Sequence, residues 1–392
     1  MKKTKLLLLS LLGVSLFSAC TNNDPIQARK DLLGPDDYGQ IRATRLIAQG
    51  SDTSLSNIAN VGRSIYLLAG NLATTQSRFL IRFKGFTGTV KKAQLALPIH
   101  LFMGTGTDFS PSIHRVTGNW QEDSVTADNF NNQFDPATVG TPIVVALDSL
   151  RKNTDKDTLW FNLDSTLVQS WIADTTNNFG LLVNSSAPDL LVEYHSRNGI
   201  TKVPRLKLFL TQSSGRDTTL SFAASADASI FTRAGILPAD RLYLGNGEQW
   251  RTYLKFTPLD SIPANATINR AELQLSIDST NTLLNADGIT LSVYVVKSIE
   301  NTGELKFILD DPNDVNDPFL VGAGVIIPGD QTLKITLRTL TQSWILEPEK
   351  NFGILLESVS PTRDLSRVAF YGGHLDPERA PRMQIDYTIP PK

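Results

Sequence analysis

The chain has 392 residues, of which 41% are hydrophobic, with a formal net charge of −2 and a single cysteine. That length carries two or three domains with sizeable cores. Near-neutral charge excludes the basic footprint of a nucleic-acid binder, and one cysteine excludes an internal disulfide framework.

Lys2, Lys3 and Lys5 precede an apolar run from Leu6 to Phe17, interrupted only by Ser10, Gly13 and Ser15. Ser18 and Ala19 are small, and Cys20 follows directly. The run is shorter than the roughly 18 residues that a spanning helix needs, and its flanks are those of a secretory signal. Leu16-Phe17-Ser18-Ala19-Cys20 resembles a bacterial lipobox, which implies cleavage before Cys20 and a lipid on its thiol. Several acyl chains on one residue meet the requirement for stable anchoring. The expected location is therefore the bacterial cell envelope, lipid-anchored at the outer membrane and facing the periplasm or the surface. Residues 1–19 read as signal peptide, and 20–40, with Pro25, Gly34, Pro35 and Gly39, as a flexible tether.

The mature chain is duplicated. Leu167-Val168-Gln169-Ser170-Trp171-Ile172 is matched by Leu340-Thr341-Gln342-Ser343-Trp344-Ile345. At the same spacing, Asn178-Phe179-Gly180-Leu181-Leu182 matches Asn351-Phe352-Gly353-Ile354-Leu355, and Arg78 to Phe83 matches Arg251 to Phe256. Nearly the same spacing relates Ala93 to Leu97 with Ala271 to Leu275, Pro204-Arg205-Leu206 with Pro381-Arg382-Met383, and Ser51-Asp52 with Ala226-Asp227. The expected units are 41–211 and 218–389, joined by a polar linker at 212–217; each is too long for a solenoid repeat.

Within each copy the pattern is β. Phe79, Ile81 and Phe83 alternate with Arg78, Leu80 and Arg82, and Leu273, Leu275 and Ile277 alternate with Glu272, Gln274 and Ser276. Period-two runs broken by Gly, Pro and Asn turns predict an all-β chain of two tandem jelly-roll-like sandwiches. One short helix per copy is expected, at 165–172 and 339–345. There Leu167 and Trp171, and Leu340 and Trp344, fall at i and i+4 on one face, so the tryptophans read as core plugs.

Taken together, these residues resemble the DNRLRE-type domain, a carbohydrate-binding-module-like β-sandwich of secreted and surface proteins. The resemblance rests on Asp52 and Asp227, on Arg78 and Arg251 opening a strand, and on the Ala-x-Leu-x-Leu, Gln-Ser-Trp and Asn-Phe-Gly-x-Leu elements. Trp120-Gln121-Glu122, followed by Ser124-Val125-Thr126, belongs to it in the first copy. The second copy has Asn301-Thr302-Gly303-Glu304 there and lacks the tryptophan. The resemblance covers nearly all of residues 45–388 and implies surface binding or adhesion. Some members bind carbohydrate, including modules on enzymes that act on acidic polysaccharides.

Chemistry is sparse. His100, His114, His195 and His374 show no metal-ligand or triad spacing, and no phosphate-binding loop or nucleophile elbow is present. Asp310, Asp311, Asp314 and Asp317 form the best oxygen-rich candidate for calcium, but they lack the Asp-x-Asp-x-Asp-Gly order, so no cofactor is expected. For sugar binding the candidates are Trp120 with Arg115 in the first copy, and Tyr243, Trp250, Arg251 and Tyr371 in the second. Arg82, Lys84, Arg251 and Lys255 are the cations that would meet carboxylates of an acidic polysaccharide. The sequence thus predicts a non-catalytic lipoprotein that displays two modules to a glycan or another extracellular ligand. The alternative is a structural or assembly subunit of an envelope protein complex, and the least favoured reading is a polysaccharide hydrolase or lyase.

Overall fold

The structure is a computed structural model describing residues 39–48, 52–56, 61–72, 75–107, 110–142, 158–186, 188–200, 202–233, 235–257, 259–301, 305–309, 320–373 and 376–391. Cys20, the signal and nearly all of the tether, and the acidic run Asp310, Asp311, Asp314 and Asp317 lie outside the described residues.

The chain is mainly β, as its alternation predicts. It opens with β1 (Gln40–Ile47) and β2 (Asp52–Leu55). A first half follows with β3 (Tyr66–Leu72), β4 (Thr75–Arg82), β5 (Thr89–Met103) and β6 (Pro111–Val116). It continues through α1 (Ala127–Phe130), β7 (Phe134–Pro142), β8 (Thr158–Leu163) and α2 (Ser165–Ala173) to β9 (Leu181–Ser185), β10 (Leu190–His195) and β11 (Arg205–Thr211). A middle pair, β12 (Asp217–Ala223) and β13 (Ala226–Arg233), leads into the second half. That half holds β14 (Arg241–Gly245), β15 (Arg251–Leu254), β16 (Thr267–Ser276), β17 (Ile289–Asn301), β18 (Leu305–Leu309) and β19 (Leu320–Ile326). It ends with β20 (Thr332–Thr336), α3 (Arg338–Leu346), β21 (Ile354–Ser358), β22 (Arg367–Tyr371) and β23 (Arg382–Ile389).

In the first half, the ladder β10-β3-β4-β9-β6-β7-β8-β5 closes because β10 also pairs with β5. Phe79, Leu95, Phe161, Trp171, Leu181 and Val192 fill its interior. In the second half, the sheet β1-β23-β16-β20 and the sheet containing β17, β21 and β15 enclose one core, where Leu273 and Ile385 meet Leu291 and Leu356.

The duplicated motifs hold equivalent places in the two halves. Gln169 on α2 accepts a hydrogen bond from Val90 N at 2.8 Å, and Gln342 on α3 accepts one from Ile268 N at 2.8 Å. Their amide nitrogens donate to Gly88 O and Ala266 O. Each helix is thus tied to the start of one strand while Trp171 and Trp344, both 1% exposed, fill the core beneath. Asn178 and Asn351 donate to Phe83 O and Phe256 O at 2.7 and 3.0 Å. Gly180 and Gly353 follow at φ 87° and 93°, where a Cβ would lie 2.3 Å from Ile81 O and 2.5 Å from Leu254 O. Only glycine fits there. The helix caps are not shared: Asp164 accepts from Thr166 N at 2.8 Å, whereas α3 has no side-chain cap.

The halves are closed by strands taken from each other's copy. β1 pairs along its whole length with β23, and β2 pairs with β15, so residues 40–55 complete the second half. In the same way β12 pairs with β11 and β13 with β4, so residues 217–233 complete the first. The boundaries expected from the repeat, 41–211 and 218–389, cut across these ladders. Nor is 212–217 a linker between units: Gln212 N bonds Arg216 O and Gly215 N bonds Gln212 O in the turn of the β11–β12 hairpin.

One aspartate fastens each exchanged pair. Asp52 Oδ2 accepts from Gly373 N at 2.8 Å, and Asp227 Oδ2 accepts from Arg197 N at 2.7 Å. Both donors follow the last strand before the closing one, β22 or β10. Asp227 is 1% exposed, and burial, opposed by the Arg197 N–H and aided by nearby Glu122, pushes its carboxyl up to about 7.

Two outcomes follow from this connectivity. Residues 61–233, expressed alone, should unfold cooperatively with dispersed amide NMR signals, whereas 41–211, which lacks β12 and β13, should not. For Asp227 the folded state holds the proton more tightly than the unfolded chain. Its contribution is therefore complete below about pH 4 and lost as pH rises through about 7, up to roughly 4 kcal/mol. Urea unfolding at pH 5 and pH 8 should show wild-type protein losing more stability across that interval than Asp227→Asn.

Candidate functional site

The exchange builds a cleft of 490 Å³ where β2 crosses the loop between β13 and β14. Its walls carry Asp52, Ser54, Arg233, Asp240, Tyr243 and Trp250. β2 is fixed by Ser54, whose Oγ accepts from Tyr243 N at 2.6 Å, and by backbone pairing of Ser54 with Thr252. Tyr243 is buried, its hydroxyl donating to Pro238 O at 2.9 Å, and burial pushes its pKa up to about 12. Trp250 is half-buried beside it, ring centroids 5.3 Å apart and tilted by 49°.

Glu248 organises this wall. It is 3% exposed and accepts from Thr75 Oγ1 at 2.8 Å, Arg233 Nη2 at 2.9 Å and Trp250 Nε1 at 2.8 Å. Burial opposes its charge, but the Arg233 guanidinium and the Thr75 and Trp250 donors outweigh it and hold the carboxyl below its ordinary range. One carboxylate thereby joins β4 of the first half, the end of the exchanged β13 and the second half. The Arg233 guanidinium lies 5.0 Å from the Trp250 ring centroid, so its charge both pairs with Glu248 and packs on the indole.

Arg241 and Asp240, on the same wall, are also paired. Arg241 bonds Asp278 Oδ2 at 2.7 Å and contacts Asp240. Asp278 is held below the usual carboxylate range: burial opposes its charge, but Arg241, Asn281 and Thr280 more than compensate. Tyr371 lies just outside, its ring 4.3 Å from the Arg241 guanidinium and 4.6 Å from that of Arg379.

Of the residues singled out by sequence, this arrangement brings together Tyr243 and Trp250, with Tyr371 adjacent. Trp120 is elsewhere and 4% exposed, packed among Val116, Val125 and Phe130 with its Nε1 donating to Phe179 O at 2.7 Å. Trp120 is thus core, as is Tyr243; neither presents an open ring face. The second copy lacks that tryptophan, and there Tyr253 Oη donates to Phe352 O, the matching carbonyl, at 2.7 Å. Arg82 stacks on Trp120 with its guanidinium 4.9 Å from the ring, and burial lowers its pKa against the opposing pull of Glu122. Arg115 shares a strand face with Ile113, which points into the first core, and so lies opposite the Trp120 face. Lys84 is exposed; Arg251 is half-buried, and Lys255 lies 6.0 Å from the Phe352 ring centroid. The four cations expected to act together therefore stand in two separate halves. Glu248, Arg233 and Thr75 were invisible as a site, since isolated polar residues on different strands carry no spacing signal.

His100 and His195 do cluster, their ring centroids 5.4 Å apart, while His374 lies outside the described residues. His100 Nδ1 is 2.9 Å from Glu193 Oε1, its Nε2 is 3.2 Å from the Tyr66 hydroxyl, and the Tyr66 ring stacks on it at 4.2 Å. Burial raises the Glu193 pKa against the opposing His100 contact. Among the described residues, no group of three His, Cys, Asp or Glu side chains is placed to hold a metal ion.

No protein-family model matches the chain, and no curated protein matches it. Among solved structures it is similar to the C-terminal domain of the AgI/II polypeptide BspA of Streptococcus agalactiae, 8% identical over 90% of this chain and 92% of that one, with a TM-score of 0.18. The collagen binding domain of the Erysipelothrix rhusiopathiae surface protein RspB is 12% identical, covers 81% of this chain and 82% of its own, and has a TM-score of 0.12. Likenesses that slight support neither a fold assignment nor a function.

Proposed function

We propose that this chain is a non-catalytic, lipid-anchored protein of the bacterial cell envelope, built of two jelly-roll-like sandwich units, that binds a neutral glycan in the cleft at Trp250. The observation that carries this reading is the immobilised Trp250 ring. Its indole nitrogen is held by Glu248, Arg233 packs at 5.0 Å and Tyr243 at 5.3 Å, all within a cleft of 490 Å³. A cleft of that size suits a small ligand, and a rigid aromatic surface costs little entropy on binding. Asp240, partly exposed along the same wall, supplies a carboxylate acceptor for sugar hydroxyls.

Charge decides the class of glycan. Arg233 and Arg241 are already matched by Glu248, Asp240 and Asp278, so an acidic polysaccharide finds no spare cation in the cleft. The same pairing argues against turnover. Glycoside hydrolysis needs a protonated acid opposite a second carboxylate, whereas the two carboxylates lining the cleft are already engaged, Asp240 by Arg241 and Asp52 by Gly373 N. The lipobox-like sequence at Cys20 supports the anchor, and the DNRLRE-like motifs support a surface binding role.

A polysaccharide array probed with the full chain should give neutral glycans as ligands, and Trp250→Ala should weaken binding at least tenfold while Lys84→Ala leaves it unchanged. Binding to no glycan, or undiminished binding by Trp250→Ala, overturns the assignment. Cys20→Ala should move the protein from the membrane to the soluble fraction; unchanged fractionation refutes lipidation.

A further inference from the structure

The two exchanged strand pairs do the same job with very different hold. β13 has six consecutive buried residues, and Ala226, Ala228, Ile230 and Phe231 pack into the cores. β1 is exposed over its first four positions, and among the described residues of 40–55 only Leu46 and Ala48 enter a core. β2 is four residues long and half-buried throughout. The N-terminal pair is thus retained chiefly by its backbone ladder to β23 and β15, the Asp52 contact to Gly373 N and the Ser54 contact to Tyr243 N. A segment with little apolar burial opens at a small fraction of the global unfolding free energy.

The chain also displays what such a segment does when it joins two bodies. Residues 217–233 complete the first half and continue directly into β14 of the second. Residues 40–55 complete the second half and continue into β3 of the first, by the same register logic. If the second half of one molecule received residues 40–55 of another, the junction would have the form already present inside each chain. Such a contact joins unlike surfaces, so it can repeat from molecule to molecule, giving a closed ring or an open chain according to the rotation between them.

We propose that residues 40–55 form an exchangeable strand pair, and that a second copy of this chain supplies it to β23 and β15, linking molecules head to tail. In dilute solution the chain's own segment wins, because tethering gives it an effective concentration in the millimolar range. Linkage therefore grows with protein concentration. Specificity comes from the same features as the internal pairing: Leu46 and Ala48 enter the core, and Asp52 meets Gly373 N.

The test uses register partners Arg45 and Gln384, both on the solvent side of the β1–β23 ladder. In a full chain carrying Cys20→Ser, Arg45→Cys molecules are mixed with Gln384→Cys molecules in a thiol–disulfide buffer. A parallel mixture pairs Arg45→Cys with Arg216→Cys, an exposed position in the β11–β12 turn. The expected result is a mixed-disulfide dimer at least tenfold above the parallel mixture, rising with concentration and suppressed by excess peptide 39–56. A yield equal to the parallel mixture at every concentration, with the Arg45→Cys/Gln384→Cys double variant closing its own disulfide, shows that the segment never leaves and overturns the proposal. A double variant that fails to close overturns it as well, since the pairing itself would be wrong. Dimers insensitive to the peptide also sink it, because the contact is then not strand replacement.

Discussion

The rest of the structure depends on the backbone ladders that carry residues 40–55 into the second half and residues 217–233 into the first. An edge strand presents a row of unmet N–H and C=O groups, and satisfying them is obligatory wherever water is excluded. Here each half meets that requirement with strands from the other copy. The halves are consequently bound by main-chain hydrogen bonds and not only by side-chain contact, and the cleft at Trp250 exists because β2 is drawn across to β15.

The duplicated side chains serve the frame. Gln169 and Gln342 bind the same pair of backbone groups at a strand start, Asn178 and Asn351 bind the same carbonyl, and Gly180 and Gly353 allow the same close approach. Where the copies diverge, the frame finds a substitute. The carbonyl satisfied by Trp120, from the loop after β6, in one half is satisfied by Tyr253, from strand β15, in the other. A buried carbonyl tolerates a change of donor but not the loss of one, which explains how the second copy dispenses with the tryptophan.

What is specific to one half gathers at the junction. Glu248 has three donors from three parts of the chain, and removing it would leave the Arg233 guanidinium, the Trp250 indole N–H and the Thr75 hydroxyl without the acceptor that holds them together. Because its carboxylate is buried, this contact costs more to break than a fully exposed pair such as Lys91 with Asp217. The same pairing leaves the cleft with oxygen acceptors and an aromatic surface instead of free positive charge. This sets the chemistry of what it can hold.

The sequence by itself determined the all-β character, the duplication, the two short helices and the burial of Trp171 and Trp344. Each follows from local periodicity or from matched blocks, which survive without knowledge of any partner. Tertiary structure alone decided which copy each strand completes, because alternation specifies the face a residue points to and says nothing of the neighbour it pairs with. Two similar copies offer similar edges, so the exchange of β1–β2 and β12–β13 left no trace in the pattern. It also decided that Trp120 is packed inside while Trp250, with the buried Tyr243 beside it, lines a cleft. An aromatic residue's role is set by what covers it, and Arg233, Glu248 and Ser54 reach Trp250 and Tyr243 only through strands distant in the chain.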